Sequence, residues 1–302
     1  MKTLLVLSGP TGVGKTEWSI QIAERLQCPI ISADSRQLYK GMAIGTAAPT
    51  PEQMRAIKHH FVGVLKPEDY YNASEYEQDA LQLIGELHQK HDTVVLTGGS
   101  MMYIDAVCDG IDEIPTIDGK LRKEINDLYE EKGLSHIRRK LKLLDPDFYN
   151  QVDLKNPKRI IHALEICLMT GKPYSSLRKN RRKERPFKIV KIGFMRPRQE
   201  LYERINKRVD EMIAQGLIDE AKGFYPLRHL NALNTVGYKE LFNYFDGDWT
   251  KEKAIEKIKQ HSRNYARKQM TWFKKDDAMH WIDLSDPSID VTNEVLNRLK
   301  NQ

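Results

Sequence analysis

The chain is poor in cysteine: only three occur in 302 residues, and no two of them form a C-x-x-C pair. A disulfide framework or a zinc site needs several cysteines at short spacing, so the pattern excludes both. We therefore expect Cys28, Cys108 and Cys167 to be reduced, buried thiols in a protein of the cytoplasm.

Long hydrophobic runs are also missing, since no stretch approaches the roughly 18 consecutive apolar residues of a membrane-spanning helix. The first residues, MKTLLVLSGP, resemble a signal peptide, but their apolar run is too short and continues directly into a Gly-rich segment. Hydrophobic residues make up 40% and charged residues 30% of the chain, as in globular proteins. We expect a monomer of about two domains without a membrane partner.

An acidic residue is absent where nucleotide hydrolases commonly need one. A predicted strand at 93–100 ends in Gly-Gly-Ser, without the aspartate that helps to hold Mg²⁺ in those enzymes. The guanine-binding motif Asn-Lys-x-Asp is absent as well, because NKRVD at 206–210 has Val209 in place of the aspartate. The nearest strand-end acid is Asp34, which could hold a metal, as in a kinase, or act as a base.

The segment GPTGVGKT, in contrast, has the spacing G-x-x-x-x-G-K-T and lies between a predicted strand at 3–8 and a predicted helix at 16–27. In such a phosphate-binding loop, backbone N–H groups bind an anion, lysine adds positive charge and threonine can bind Mg²⁺. A Gly-rich turn that only begins a helix would not need Lys15 and Thr16. The loop residues are Gly9, Pro10, Thr11, Gly12, Val13, Gly14, Lys15 and Thr16.

Alternating strand and helix patterns predict an α/β fold, with a P-loop NTPase-like parallel sheet flanked by helices and an inserted all-helical domain. Further strands are predicted at 29–35, 93–100, 187–195 and 279–285. Residues 1–117 and 187–302 are expected to form the core. Residues 118–186 contain helical patterns and no convincing strand, so they are expected to form the insertion.

Two predicted helices carry more specific expectations. The helix at 71–90 has Ser74 and Glu77 at the spacing of a capping box. The segment LYERINKRVDEMIAQGLIDEAKGF predicts one long amphipathic helix over residues 201–224.

Two segments are rich in lysine and arginine and contain aromatic residues. Nine Lys/Arg accompany one Glu in residues 172–191, and nine accompany two Glu in residues 251–275. Clustered cations attract phosphate backbones, and rings such as Phe187 and Tyr265 can stack on unpaired bases. Either run alone is typical of a solvated surface, but the two together favour a polyanionic partner.

A series of motifs follows the loop along the chain. They are SADSRQLYKGMAIGTAAP, HHFVGV, YNASEYEQDA, LTGGSMMY, PKRIIHALEICLMTGKPYSSL, GLIDEA, TVGYKEL and RNYARKQMTWFK. In this order they resemble the bacterial tRNA dimethylallyltransferases, and the resemblance covers nearly the whole chain. The combination of DSRQLY, RIIHALE, GYKE and YARKQMTWF is specific to isopentenyltransferases.

The resemblance implies that the loop holds the diphosphate of dimethylallyl diphosphate instead of ATP. The prenyl group would move to N6 of the adenosine on the 3′ side of the anticodon, position 37 of tRNA, and diphosphate would leave. Lys15, Thr16 and Mg²⁺ would stabilise the leaving group. An arginine of the long helix would help, and of the two matching positions, Arg204 and Arg208, we favour Arg208.

On the acceptor side, the resemblance implies that Asp34 is the general base and that the Ser100 hydroxyl helps to position the amine. The adenosine would have to be extruded from the anticodon loop. The insertion would bind the anticodon stem. The implied tRNA contacts are Asp34, Ser35, Arg36, Gln37, Ser100, Arg122, Lys158, Arg159, Ile160, Ile161, His162, Asn234, Thr235, Val236, Gly237, Tyr238 and Lys239.

Three positions depart from the family pattern. Ala43 and Ala48 stand where the family usually has aspartate and lysine, which removes a charge pair near the loop. Ser100 replaces the usual threonine and keeps its hydroxyl. The adjacent His59 and His60 are expected to be hydrogen-bonded structural residues, because neighbouring residues rarely bind one metal.

Three other functions remain open from the residues. A small-molecule kinase would leave both basic runs without a role. A prenyltransferase acting on free adenine nucleotides would share the chemistry but not need the basic insertion. An RNA-binding protein without catalysis would not need Lys15, Thr16 and Asp34.

Overall fold

The computed structural model describes residues 2–112, 114–115, 117–179 and 182–301. The chain divides into two compact units. The sheet unit comprises Met1–Cys108 and Arg185–Gln302, and the helical unit comprises Asp109–Glu184. The insertion therefore begins at 109 and not at the expected 118, because the Lys183 N–H donates to the Asp109 carbonyl at 2.7 Å and joins its two ends.

The sheet has six parallel strands in the order β3-β2-β4-β1-β5-β6. The strands are β1 Thr3–Ser8, β2 Ile30–Ser32, β3 His59–His60, β4 Thr93–Gly98, β5 Lys188–Met195 and β6 Met279–Asp283. This confirms the predicted fold class. The sequence patterns missed β3, because a two-residue strand is too short to show a period.

Helices cover both faces of the sheet, and the alternation along β1 shows the two cores. Leu4 and Val6 belong to one buried cluster, while Leu5 and Leu7 belong to the other. The helices are α1 Lys15–Leu26, α2 Pro51–Ala56, α3 Ala73–Leu87, α4 Met101–Asp109, α5 Gly119–Leu144, α6 Pro146–Gln151, α7 Pro157–Thr170, α8 Tyr174–Leu177, α9 Arg198–Ala214, α10 Leu217–Phe224, α11 Tyr238–Phe245, α12 Lys251–Phe273 and α13 Val291–Lys300.

The capping box of α3 lies two residues earlier than predicted. Asn72 is the N-cap, its side chain accepts from the backbone N–H groups of Ser74 and Glu75, and Glu75 bonds back to the Asn72 N–H. The prediction of Ser74 and Glu77 is wrong, since both already lie within the helix. Glu77 is instead buried and accepts from Arg185 at 2.8 Å.

The single helix predicted over 201–224 is also wrong. It consists of α9 and α10, which are separated at Gly216. Gly216 has φ 103°, a conformation that glycine adopts without the strain a side chain would add. The apolar period continues across the break, which is why the pattern did not show it.

The helical unit has its own core, built from one face of α5 and one face of α7. Ile137 and Leu141 of α5 pack with Ile160 and Leu164 of α7. The described part of this unit contains no strand, as predicted. Across all described residues, no helix combines the length and apolar character needed to cross a membrane.

Candidate active site

The GPTGVGKT loop joins the end of β1 to the start of α1, at the carboxyl edge of the sheet. Gly9 has φ 151°, and a Cβ there would lie 2.7 Å from the Phe194 carbonyl oxygen of β5. Gly14 is the N-cap of α1 with φ 110°. The tight approach to β5 and the left-handed cap both require glycine, so the loop's backbone is shaped as the motif predicts.

The side chain of Lys15 folds back over this loop. Its Nζ donates to the carbonyl oxygens of Gly9 and Pro10, both at 2.9 Å. The pKa of Lys15 is lowered to about 7, mainly by burial and in smaller part by the nearby Arg208 guanidinium, while the Asp34 carboxylate opposes the shift. An anion in the loop would favour the charged form of this lysine.

Asp34 follows β2 and closes a turn. Its Oδ1 accepts from the backbone N–H groups of Arg36 at 2.9 Å and Gln37 at 3.2 Å. No donor from the described residues contacts its Oδ2, and Asp34 lines both cavities described below. The carboxylate is thus oriented by its own backbone, with one oxygen available.

Ser100 begins the turn into α4 and contacts the segment after Asp34. Its Oγ accepts from the Ser35 N–H at 2.8 Å and lies 3.1 Å from the Ser35 Oγ. The Arg36 guanidinium donates to the Asn231 and Ala232 carbonyls, and the Gln37 amide donates to Thr46 and Ala47. These contacts hold the 34–37 segment in place.

Two arginines one turn apart on α9 face the loop. The Arg204 Nε donates to the Gly12 carbonyl at 3.0 Å. Arg208 lines both cavities, and burial lowers its pKa while the Asp34 carboxylate opposes that shift. Arginine keeps its charge in proteins. The structure thus brings together two predicted cationic residues, Lys15 and Arg208, and one predicted acidic residue, Asp34.

Two cavities meet at these side chains, and both lie in the sheet unit. The loop cavity, about 440 Å³, is lined by residues of the GPTGVGKT loop, including Lys15 and Thr16. The adjoining cavity, about 520 Å³, is lined by Ser35, Arg36, Ser100 and the segment 234–237 with Lys239. The residues lining both are Thr11, Asp34, Thr46, Arg208 and Tyr265.

Sequence patterns did not single out Gln269 of α12, which joins two loops of the site. Its side chain is 1% exposed. The Oε1 accepts from the Thr11 N–H at 2.8 Å, and the Nε2 donates to the Gly99 carbonyl at 2.7 Å. The only signal in the sequence was its position inside the YARKQMTWF motif. Tyr265, on the same helix, lines both cavities, and burial raises its pKa to about 12.

Replacing Gln269 by leucine should destabilise the fold. The change would remove the acceptor of the Thr11 N–H and the closer of two donors to the Gly99 carbonyl, which also accepts from the Tyr265 hydroxyl at 3.4 Å, at about 1–3 kcal/mol in all. Urea unfolding of Gln269→Leu should therefore show a clearly lower midpoint than the wild type. Gln260→Leu, the same change at an exposed site of α12, should keep the wild-type midpoint, and equal losses in the two variants would contradict this account.

One residue of the 234–239 segment, Tyr238, is not in the described lining of the adjoining cavity. Tyr238 is fully buried, and its hydroxyl donates to Glu220 at 2.6 Å, so this side chain packs in the core, and an RNA contact at this residue stays a prediction. Glu220 also accepts from the backbone N–H groups of Ile44 and Gly45, both at 2.8 Å. Glu220 therefore holds the loop at residues 43–48, where Ala43 and Ala48 stand in place of the expected charge pair.

At that loop, Ala48 donates its N–H to the Ala43 carbonyl at 2.9 Å. The described lining of the two cavities includes Gly45 and Thr46 of this loop but neither alanine. Backbone bonds and Glu220 thus shape the loop without the side-chain charge pair.

Two of the predicted residues of the helical unit, Arg122 and His162, contact Glu165, which is buried. Arg122 Nε donates to it at 3.1 Å, and His162 Nδ1 lies 3.7 Å from it. Burial alone would raise the pKa of Glu165, but these two partners outweigh it and lower the pKa. The contacts fix Arg122 and His162 on one face of this unit.

Lys158 and Arg159 are exposed in the first turn of α7, next to its N-cap Asn156. Ile160 and Ile161, by contrast, are buried in the core of the helical unit. The side chains of these two isoleucines therefore make packing contacts, because an apolar helix face must be covered to be stable, and RNA contacts at these positions stay a prediction.

Only part of the first basic run, residues 172–191, lies at the surface. Arg185 is buried against Glu77, and Lys191 is buried 2.6 Å from Asp276. These two cations hold the sheet unit together instead of facing solvent. Asn180 and Arg181, in the middle of the run, lie outside the described residues.

The three cysteines are free and buried, as predicted. His59 is hydrogen-bonded through Nδ1 to the Ile57 carbonyl at 2.8 Å, also as predicted. The Nε2 of His60 is buried and has no hydrogen-bond partner within the described ranges, so the prediction is wrong for that residue.

A family model described as IPP transferase matches residues 37–276. The chain belongs to the IPP transferase family. This IPP transferase is 62% identical over 280 residues to tRNA dimethylallyltransferase 1 of Phocaeicola vulgatus, with 93% of each chain covered. It is 59% identical over 282 residues to tRNA dimethylallyltransferase 1 of Bacteroides thetaiotaomicron, with 93% of this chain and 92% of that one covered.

Solved structures agree with this assignment. The tRNA isopentenylpyrophosphate transferase of Bacillus halodurans is 34% identical, with a TM-score of 0.72, and the match covers 100% of this IPP transferase and 98% of that chain. A eukaryotic dimethylallyltransferase acting on tRNA has a TM-score of 0.84 at 23% identity, covering 100% and 80% of the two chains, and shows the shared fold.

Proposed function

We propose that this protein is a tRNA dimethylallyltransferase of the cytoplasm, acting as a monomer. It would transfer the dimethylallyl group from dimethylallyl diphosphate to N6 of adenosine 37 of tRNA and release diphosphate. The observation that supports this most is the meeting of two cavities at Asp34 and Arg208. The loop cavity has Lys15 and Arg208 for a diphosphate, and Asp34, which lines both cavities, would be the base for an acceptor in the adjoining one.

On the donor side, the loop N–H groups, Lys15 and Arg208 would bind the diphosphate. As the allylic C–O bond breaks, negative charge grows on the diphosphate, and donors already in place stabilise that charge. The residues also fit Mg²⁺, because this ion is commonly held by one or two protein oxygens and substrate phosphates. Thr16 lines the loop cavity and would hold it, and the ion when bound supplies further positive charge to the leaving group.

We do not propose a metal site formed by protein side chains alone. The described residues include no group of three or more His, Cys, Asp or Glu side chains able to hold a metal ion. Such a group would not be needed if the diphosphate supplied most of the ligands and Thr16 supplied one.

On the acceptor side, the adenine would enter the adjoining cavity. The N6 lone pair attacks C1 of the dimethylallyl group, and the C1–O bond breaks with its electron pair going to the diphosphate. The N6 proton passes to the Asp34 carboxylate. Ser100 would support this step by holding Ser35, and with it the turn that orients Asp34.

The exposed cations at the start of α7 would bind RNA phosphates, since the positive end of the helix adds to their charge. Replacing Lys158 and Arg159 by glutamine should weaken tRNA binding and reduce the slope of log K against log salt by about 1 for each contact. Filter binding at several salt concentrations measures this. Lys90→Gln, at an exposed site in the turn after α3, should leave the slope unchanged, and an unchanged slope in the double variant would exclude these contacts.

The function itself is tested with dimethylallyl diphosphate labelled in the prenyl group. Unmodified tRNA, free AMP, and ATP with small acceptors are supplied in parallel reactions. Label in tRNA alone supports the proposal. Label in AMP would keep the chemistry and change the acceptor, whereas ATP consumption without prenyl transfer would support a kinase.

A further inference from the structure

A buried glutamate and a histidine form a pair at the wall of the adjoining cavity. Glu240 of α11 is 3% exposed, and its Oε1 lies 2.6 Å from Nδ1 of His261 on α12. Its Oε2 accepts from the Gly237 N–H at 2.8 Å. Since a carboxylate only accepts hydrogen bonds, the His261 proton on this side is carried by Nδ1.

The other ring nitrogen of His261 is the one left for a ligand. The His261 side chain is 40% exposed and lines the adjoining cavity together with Lys239, Ser262 and Lys268. Within the ranges that the structure describes, Nε2 has no hydrogen-bond partner, and it is not among the polar atoms closed off from solvent. The ring is thus held at one nitrogen and presents the other.

The helix cap alone does not require this arrangement. Capping of α11 uses only Oε2 of Glu240, through the Gly237 N–H. A second histidine–glutamate pair, His280 and Glu294, has a comparable distance of 3.0 Å, but the described cavity linings include neither residue. The location of His261 beside the same cavity as Asp34 and Ser100 is what distinguishes it.

We propose that His261 is an RNA-contacting residue of this enzyme, which forms a hydrogen bond through Nε2 to the nucleotide bound in the adjoining cavity. Glu240 is the positioning residue, because it fixes the ring orientation. The inference rests on the proposed function. It adds a polar contact from α12 to the acceptor site, on a residue outside the 234–239 segment.

Two substitutions separate the two nitrogens of the ring. The amide of asparagine lies near the position of Nδ1, so His261→Asn keeps a donor for Glu240 and loses the contact made by Nε2. Glutamine reaches the position of Nε2, so His261→Gln keeps a polar group for RNA. We expect His261→Asn to raise both KM and Kd for tRNA about 3- to 10-fold, as for one lost hydrogen bond.

The KM for dimethylallyl diphosphate should stay the same in His261→Asn, and His261→Gln should recover most of the tRNA affinity. His280→Gln serves as the matched control and should behave as the wild type. A purely structural role predicts the reverse order, with asparagine tolerated and glutamine impaired, and that result would overturn the proposal. Should the wild type transfer no label, the proposed function fails, and the tRNA Kd values of the variants still decide the contact.

Discussion

An Asp34→Asn variant should transfer the dimethylallyl group at least about 10²-fold more slowly than the wild type, while its affinity for tRNA changes little. The carboxamide can still accept from the Arg36 and Gln37 N–H groups, so the turn keeps its shape. What the variant loses is the carboxylate oxygen that we propose takes the N6 proton. The adenine amine is a poor nucleophile, since its lone pair is delocalised into the ring, and it depends on that acceptor.

Single-turnover transfer with saturating tRNA measures the chemical step without product release. Asp69→Asn is a suitable control, because Asp69 also accepts a backbone N–H, from Lys66 at 2.7 Å, in an exposed turn. That variant should react at the wild-type rate. Unchanged turnover in Asp34→Asn would remove Asp34 from the mechanism and leave the proton to water.

A Lys15→Met variant should lose about 10²- to 10³-fold in transfer rate, the range found when one donor to a developing negative charge is removed. Methionine keeps the length and apolar stem of lysine but not its charge. The Nζ contacts to Gly9 and Pro10 disappear as well, so thermal unfolding must show that the variant is folded. Lys40→Met, at an exposed site, should show the wild-type rate.

The same lysine predicts a pH dependence of diphosphate binding. Its pKa in the free protein is lowered to about 7, so above that pH the side chain is largely neutral and must take up a proton when the anion binds. The affinity for diphosphate should therefore fall as pH rises above about 7. Titration calorimetry across pH measures it, and Lys15→Met should lose this part of the dependence; identical profiles in the two proteins would contradict the assignment.

Local pattern was sufficient for the parts of the fold that depend on near neighbours. The apolar run TLLVLS predicted β1 to the residue, and the spacing of glycine, lysine and threonine predicted a loop between β1 and α1. The break between two consecutive helices was harder to predict. The apolar period runs through Gly216, and only the left-handed backbone there shows that α9 ends.

Candidate site residues were found where they belong to a motif with its own chemistry, as for Lys15, Thr16 and Asp34. Gln269 and His261 were not found, because glutamine and histidine in a basic helix have no distinctive spacing. The role of Gln269 depends on Thr11 and Gly99, which are more than 100 residues away in the sequence. The role of His261 depends on a buried carboxylate on another helix.

The exposure of charged side chains was the property least predictable from the sequence. Arg185 and Lys191 belong to a basic run that favours an RNA surface, yet each forms a buried ion pair within the sheet unit. The family, the fold class and the position of the GPTGVGKT loop between β1 and α1 follow from the order and spacing of residues along the chain. Which cations face solvent, which nitrogen of His261 is free and where the two cavities meet depend on contacts between distant segments, and only folding brings those segments together.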